Sequence, residues 1–288
     1  MELLDFNIPL DCKIFDASDL HSGPHGYNRE AFNKLLDEVE NDNNARLFLK
    51  GDLVDCITPS DSRFSSHSVD ITNGHRNAQD HADLLIADLK RVAHKILFLQ
   101  WGNHEFKIAN TFDITKYMCK ELDVKFGGYI AVATFRNDSR RGHLFKILAT
   151  HGRKSISSLA KDPIQSEANM KASLKKHLDS MRFTDCIYQT MGHAHKLIVV
   201  EPTINKEVML TTTTKNIKQD YRSPVPQNSK YIPSECRYFV CSGTFLKTFA
   251  PSGLTNYAEM AQYGPVELGC AEIVVQDGAI VNVKKRLF

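Results

Sequence analysis

Five short segments concentrate carboxylate, amide and imidazole side chains: Ser18-Asp19-Leu20-His21, Gly51-Asp52-Leu53-Val54-Asp55, Gly102-Asn103-His104-Glu105, Thr150-His151-Gly152 and Gly192-His193-Ala194-His195. An aspartate offers two anionic oxygens, an asparagine a neutral carbonyl oxygen and a histidine a ring nitrogen, which are the donors that hold divalent cations. Asp52 can bridge two ions, as a histidine cannot. Asn103 adds a ligand without adding negative charge. On an extended chain residues i and i+2 point the same way, so Asp19 and His21 can reach one ion. His193 and His195 repeat that spacing and can serve one ion each if the chain turns between them. The chemistry implied is two-metal hydrolysis, in which a pair of ions about 3.5–4 Å apart polarises a phosphoryl oxygen and lowers the pKa of water.

Each segment taken singly has a plainer reading. Gly-Asp-x-x-Asp is also the pattern of a turn followed by a helix cap, and Gly-Asn-His-Glu that of a turn with Gly or Asn at positive φ. Their occurrence together, in this order, favours the metal reading.

The positioning elements are legible as apolar periodicities. Residues 13–17, 46–49, 96–101, 144–150 and 185–191 read as strands, and each runs into one of the five segments. Residues 28–40 place Phe32, Leu35, Leu36 and Val39 on one helical face; 79–94 do so with Leu84, Leu85, Leu89 and Val92; 106–122 read as a third helix and 166–181 as a fourth. A turn over 136–142 joins strands 129–135 and 144–150 into a hairpin. Further strands are expected at 197–203, 208–214, 238–249 and 271–285, the last folded at Asp277-Gly278. Residues 56–75 form a polar loop, and 222–233, with three prolines, another. His67, His75 and His81, with Arg63 and Arg76, read as solvated residues bordering the first loop, and Lys171, Lys175 and Lys176 as a solvated helix face. The aromatic and methionine residues of 257–263 read as packing before a base-stacking edge. Strands interleaved with helices, then strands in succession, predict an α/β fold of two packed sheets with helices outside. Ligands bind beyond the carboxyl ends of strands in such sheets, where all five segments fall.

Composition narrows the class. The net charge of +2 on 288 residues argues against a strongly basic nucleic-acid platform, and 42% hydrophobic residues support a large core. Seven scattered cysteines without a CxxC pair read as reduced thiols. The acidic start lacks a basic n-region, and no apolar run reaches the about 18 residues of a membrane span. A cytoplasmic protein without membrane association is expected.

The ordered set Asp-x-His, Gly-Asp-x-x-Asp, Gly-Asn-His-Glu, His and Gly-His-x-His, spanning positions 19 to 195, resembles the calcineurin-like metallophosphoesterase family. That resemblance implies a four-layer αββα sandwich of two mixed β-sheets flanked by helices. One domain over 1–288 is expected, with 196–288 completing the second sheet. The resemblance also implies that Asp19, His21, Asp52 and His195 hold a first metal, and that Asp52, Asn103, His151 and His193 hold a second. It places His104 beside the substrate phosphate as general acid or charge stabiliser, oriented by Asp55. The ions expected are manganese, with iron or zinc as alternatives. The general look, to which Pro59-Ser60-Asp61 contributes, is similar to microbial and phage-type members akin to the phosphoesterase subunits of DNA-repair exonucleases. A phosphodiesterase or nuclease acting on DNA or RNA is therefore expected. A small-molecule phosphodiesterase or phosphatase acting on nucleotides is the alternative, and a non-catalytic metal-stabilised scaffold a remote one.

Overall fold

The computed structural model describes residues 1–57, 77–250, 254, 256–260 and 262–288. In chain order β1 (Glu2–Asn7), β2 (Cys12–Ala17), α1 (Arg29–Asn41), β3 (Arg46–Lys50), α2 (Ala78–Leu89), β4 (Ile96–Gln100), α3 (Asn103–Ile108), α4 (Ile114–Leu122) and β5 (Lys125–Phe126) build the first half. β6 (Ile130–Arg136), β7 (His143–Thr150), α5 (Pro163–Asp179), β8 (Tyr188–Met191) and β9 (Leu197–Val200) follow. The chain ends with β10 (Val208–Thr212), β11 (Ile217–Tyr221), β12 (Tyr238–Ser242), α6 (Tyr257–Met260), β13 (Gly269–Gln276) and β14 (Ala279–Leu287).

Two six-stranded mixed sheets carry the fold, ordered β14-β13-β2-β3-β4-β5 and β1-β6-β7-β8-β12-β9. Alternation along the strands sorts side chains into layers. Phe15, Leu47 and Leu49 face Phe32, Leu35, Leu36, Leu85 and Leu89 of α1 and α2. Ile14, Phe48 and Phe98 face Phe135, Phe145 and Ile147 across the sheets. Leu174 and Leu178 of α5 cover Ile198, Phe239 and Cys241 on the far side. The result is the four-layer αββα sandwich. Phe48 and Phe98 stack at its centre, 5.0 Å between ring centroids and 18° between planes. Removing either ring would cost about 3–5 kcal/mol.

Local chemistry sets the element ends. Asn28 caps α1 through Ala31 N, Asn77 and Asp80 form a capping box on α2, and Asp162 caps α5 ahead of Pro163. The helix expected over 106–122 is two. The chain leaves the helical path after α3, and Asp113 caps α4 through Lys116 N while accepting the Trp101 indole N–H at 2.9 Å. The helix expected over 79–94 tightens into a 3₁₀ segment at Lys90–Lys95. His81, expected in solvent, is buried on α2, with its ring where a Cβ on Gly23 would sit 2.3 Å from Nδ1. β12 stops at Ser242 instead of running to 249. Gly243, at φ +85, passes so close to Gly269 O that a Cβ would lie 2.5 Å from it. Asp277 and Gly278, both at positive φ, make the hairpin turn between β13 and β14 where the sequence places it.

Strands after residue 196 join both sheets, β9 and β12 in one and β13 and β14 in the other, while β10 and β11 pair only with each other. β1, β5 and β11 have no counterpart among the expected strands. The polar loop expected over 56–75 lies outside the described residues from position 58, as do Pro59-Ser60-Asp61, Arg63, His67, His75 and Arg76. All seven cysteines are buried and free of disulfides. Among the described residues no helix is long and apolar enough to cross a membrane.

Candidate metal centre

β2, β3 and β4 run parallel, as do β7 and β8. The residues that follow their carboxyl ends meet at one edge of the sandwich. The loops after β2 and β3 are laced together by Asp19 N→Gly51 O (3.1 Å), His21 N→Asp52 O (2.9 Å), Ser22 N→Leu53 O (2.9 Å) and Asp55 N→Ser22 O (3.1 Å).

The lacing holds an unusual backbone. Asp19, His21, Asp52, His193 and His195 all adopt positive φ, between 48° and 66°, at a cost of about 1–3 kcal/mol each. The expectation that Asp19 and His21 converge because the chain is extended is therefore overturned. β2 ends at Ala17, and the two side chains are brought together by left-handed turns pinned to the neighbouring loop. The chain does turn at this motif: His193 is the middle residue of a turn closed by Ala194 N→Gly192 O at 2.8 Å, and His195 follows it. Gly102 is not at positive φ; it is glycine because a Cβ would lie 2.0 Å from Asp52 Oδ1. Asn103 opens α3.

The side chains form groups within ligand reach of one another. Asp19, His21 and His195 make one, with His195 Nε2 3.3 Å from Asp19 Oδ1 and 3.1 Å from His21 Nε2. Asp52, His151 and His193 make a second. His151 Nε2 lies 3.1 Å from Asp52 Oδ2 and 3.1 Å from Asn103 Oδ1, and His193 Nδ1 is 2.7 Å from Asn103 Oδ1. Asp52 Oδ2 stands between the groups, 3.9 Å from both His21 Nε2 and His104 Nε2. All seven residues expected as ligands are thus gathered at one place. His21, Asp55 and His104 form a third cluster.

Partners behind the rings fix which nitrogen faces inward. His21 Nδ1 meets Asp55 Oδ1 at 2.9 Å, and His151 Nδ1 meets Lys50 O at 2.8 Å, leaving each Nε2 toward the cluster. His104 Nδ1 meets the carbonyl oxygen of Asp55 and lies 3.2 Å from Asp55 Oδ1, so its Nε2 also points inward. Asp55 thus contacts both His104 and His21.

Burial works against every charge here, and the neighbours decide the outcome. Burial pushes the Asp52 carboxyl up, but the His151 and His104 imidazoles overcome it and hold it well below the usual range. Asp19, buried but hydrogen-bonded to His195, comes down to about 2, as does Asp55, buried but bonded to His104 and His21. Burial would lower His104 and His151, yet the Asp52 charge raises both to about 9. His21 and His193 are lowered by burial and stay neutral.

Two residues at the site, Glu105 and Lys196, lie beyond the expected set. Glu105, fully buried, accepts Asp52 N (3.0 Å) and Gly102 N (2.8 Å) on Oε2, and Leu53 N (2.6 Å) and Val54 N (3.0 Å) on Oε1. It clamps the Asp52 turn to the start of α3; its position, three residues after Gly102, is the capping-box signal that could have revealed this. Burial and the Asp52 charge push it up to about 7. Lys196, directly after His195, lines a cavity of about 390 Å³ with Asp52, Asn103, His104, Tyr263 and Val266. Adjacency to the last motif is the signal for it.

The family model described as calcineurin-like phosphoesterase matches residues 13–196. No curated protein matches the chain by sequence. Among solved structures, the crystal structure of a metallophosphoesterase from Sphaerobacter thermophilus is similar, at 10% identity and a TM-score of 0.43, covering 96% of this chain and 89% of that one. With its motifs gathered in one cluster and the family match running through all of them, the chain belongs to the calcineurin-like phosphoesterase family.

Proposed function

We propose that the protein is a dinuclear phosphodiesterase, with Asp19, His21, Asp52 and His195 holding one ion and Asp52, Asn103, His151 and His193 the other. The observation that carries this reading is Asp52 Oδ2, facing His151 Nε2 at 3.1 Å and His21 Nε2 at 3.9 Å, between the two groups. The donor set fits divalent ions. It comprises imidazole nitrogens, carboxylate oxygens and one amide oxygen, with the Nδ1 atoms of His21 and His151 already engaged from behind. Such nitrogen and oxygen ligation without thiolate suits manganese, with iron or zinc next. When bound, the ions supply Lewis acidity toward a phosphoryl oxygen and lower the pKa of water.

The protein's own groups supply the rest. In the metal-free protein the Asp52 charge raises His104 to about 9 against burial. Its Nδ1–H is held by Asp55, so Nε2 can give a proton to the departing alkoxide. Asp55 keeps that ring in place. Lys196 is the one lysine or arginine among the described cavity-lining residues. A monoester dianion needs more cationic clamping than a diester monoanion, and this wall supports the diester.

The lining of the cavity also favours a second reading, a small-nucleotide phosphodiesterase. Ile156, Leu246, Ala258, Tyr263, Pro265 and Val266 give it an apolar wall beside the ligand cluster, suited to one planar moiety. Manganese-supplemented assays on bis-p-nitrophenyl phosphate and p-nitrophenyl phosphate test the proposal, with the diester expected to turn over clearly faster. Preference for the monoester would overturn it. Diester turnover without DNA or RNA cleavage at low salt would select the small-nucleotide reading.

A further inference from the structure

Behind the ligand cluster, between the two sheets, lies a chain of buried polar groups that the hydrolytic reading leaves unused. Lys50, the last residue of β3, follows Leu49, which faces the helices, so alternation sends Lys50 between the sheets. There its ammonium is paired with Asp16 of β2, both fully buried. Asp16 is saturated from the other side by Tyr188 Oη at 2.7 Å and Thr190 Oγ1 at 2.6 Å. Lys50 Nζ also donates to Ser242 Oγ on β12 at 2.7 Å; Ser242 Oγ is 2.7 Å from Ser18 Oγ, and Ser18 Oγ donates to Asp19 Oδ2.

The end groups fix the direction. An ammonium only donates and a carboxylate only accepts. Ser242 therefore spends its lone pair on Lys50 and directs its single proton to Ser18, since its other acceptor, Met191 O, is farther at 3.4 Å. Ser18 in turn directs its proton to Asp19. His193 N is shared between Oδ2 at 3.0 Å and Oδ1 at 3.1 Å, while the Ser18 proton goes to Oδ2 and Oδ1 faces His195 Nε2 at 3.3 Å. Gly192 closes over the last link, since a Cβ there would lie 2.6 Å from both Asp19 Oδ2 and Ser18 Oγ.

We infer that Lys50, Ser242 and Ser18 form a one-way hydrogen-bond relay that positions the Asp19 carboxylate for the metal held with His21 and His195. Lys50 and Ser242 are positioning residues that act on Asp19 from a distance, Lys50 through the hydroxyls of Ser242 and Ser18 and Ser242 through that of Ser18 alone. The inference rests on the dinuclear reading, so its test is metal uptake and not turnover.

The experiment is isothermal titration of the metal-free full chain with Mn²⁺, for the unsubstituted protein, Ser242→Ala, Ser242→Thr, Ser18→Ala and the double variant Ser18→Ala/Ser242→Ala. Ser242→Ala removes one buried hydroxyl and leaves the Lys50–Asp16 pair intact, so the fold is retained, as circular dichroism will check. It should weaken one Mn²⁺ equivalent by about 10-fold or more, the effect of losing an outer partner of a ligand, and leave the other unmoved. Ser242→Thr, which keeps the hydroxyl, should restore it. Because the links act in series, the double variant should be no weaker than Ser18→Ala alone. Unchanged affinity for both equivalents in Ser242→Ala, or full additivity of the two single losses, would overturn the relay while leaving the dinuclear reading intact. Absence of a second equivalent in the unsubstituted protein would instead remove the dinuclear reading and the relay with it.

Discussion

His21 Nδ1 lies 2.9 Å from Asp55 Oδ1. Asp55 thereby serves both the ligand cluster and His104, which it meets through its carbonyl oxygen and, at 3.2 Å, through the same Oδ1. Asp55→Asn should therefore do more than misalign His104. An amide can offer its NH₂ to a ring that must itself donate, so His21 loses the partner that keeps Nε2 free. We expect affinity for one ion to fall about 10- to 100-fold along with turnover. Titration calorimetry with Mn²⁺ measures the first and diester hydrolysis the second. Full metal affinity in this variant would show that His21 does not depend on Asp55.

Asp52→Asn should deplete both ions, because its Oδ2 faces His151 at 3.1 Å and His21 at 3.9 Å. Asn103→Ala should deplete only one, since Asn103 Oδ1 touches His151 and His193 and neither His21 nor His195. Metal analysis by mass spectrometry on the purified variants separates these outcomes. Two equivalents retained by Asp52→Asn would remove the shared-ligand assignment.

What the sequence disclosed and what it withheld follow from how local each signal is. The candidate ligand residues are legible because each sits in a short motif after an apolar strand, and the structure gathers all of them. Helix α1 is legible because Phe32, Leu35, Leu36 and Val39 repeat at helical spacing and are buried. The break between α3 and α4 is hidden by the continuing helical spacing, although Asp113 caps α4 through Lys116 N and also accepts the Trp101 indole N–H. The left-handed backbone of Asp19 and His21 is imposed by bonds to Gly51 and Asp52 from another loop. Ser242 carries no local sign of its link to Ser18, 224 residues away. Residues whose roles are set by distant partners are silent in a single sequence.

His104→Ala should keep metal and lose most turnover, about 10²–10⁴-fold if it acts as general acid. The loss should shrink for esters with good leaving groups, which need little protonation. Comparing a p-nitrophenolate leaving group with an alkoxide reads this directly. Equal losses on both would assign His104 to stabilising phosphoryl charge instead.

Metal uptake should be linked to protons. In the metal-free protein the His151 ring, raised to about 9 by the Asp52 charge against burial, is protonated at neutral pH. Its Nδ1–H already serves Lys50 O, so the extra proton sits on Nε2, the atom aimed at the second group. Ligation must expel it. Affinity should rise with pH toward about 9, with proton release at pH 7 visible as buffer-dependent heat in calorimetry. Stability of the metal-free protein should run the other way. A histidine raised above its ordinary 6.5 stabilises fully below that value and loses the contribution as pH climbs through about 9. Metal affinity independent of pH over this range would contradict the assignment of His151 as a ligand.

Lys196 tests the substrate side. It follows His195 and lines the cavity with Asp52, Asn103 and His104, whereas Arg153, the cation after the His151 motif, is exposed and lies over the Tyr129 ring, 5.7 Å from its centroid. A single ammonium beside the ligand cluster can hold a non-reacting oxygen of the substrate phosphate in both ground and transition states. Such uniform binding lowers KM without raising kcat. Lys196→Ala should therefore raise KM for bis-p-nitrophenyl phosphate about tenfold, the factor that about 1.4 kcal/mol represents, with kcat little changed. Arg153→Ala should leave both constants alone. If kcat falls with KM constant, Lys196 acts in the transition state; if Arg153→Ala carries the KM effect, the substrate approaches from the Tyr129 side and the cavity is not its seat.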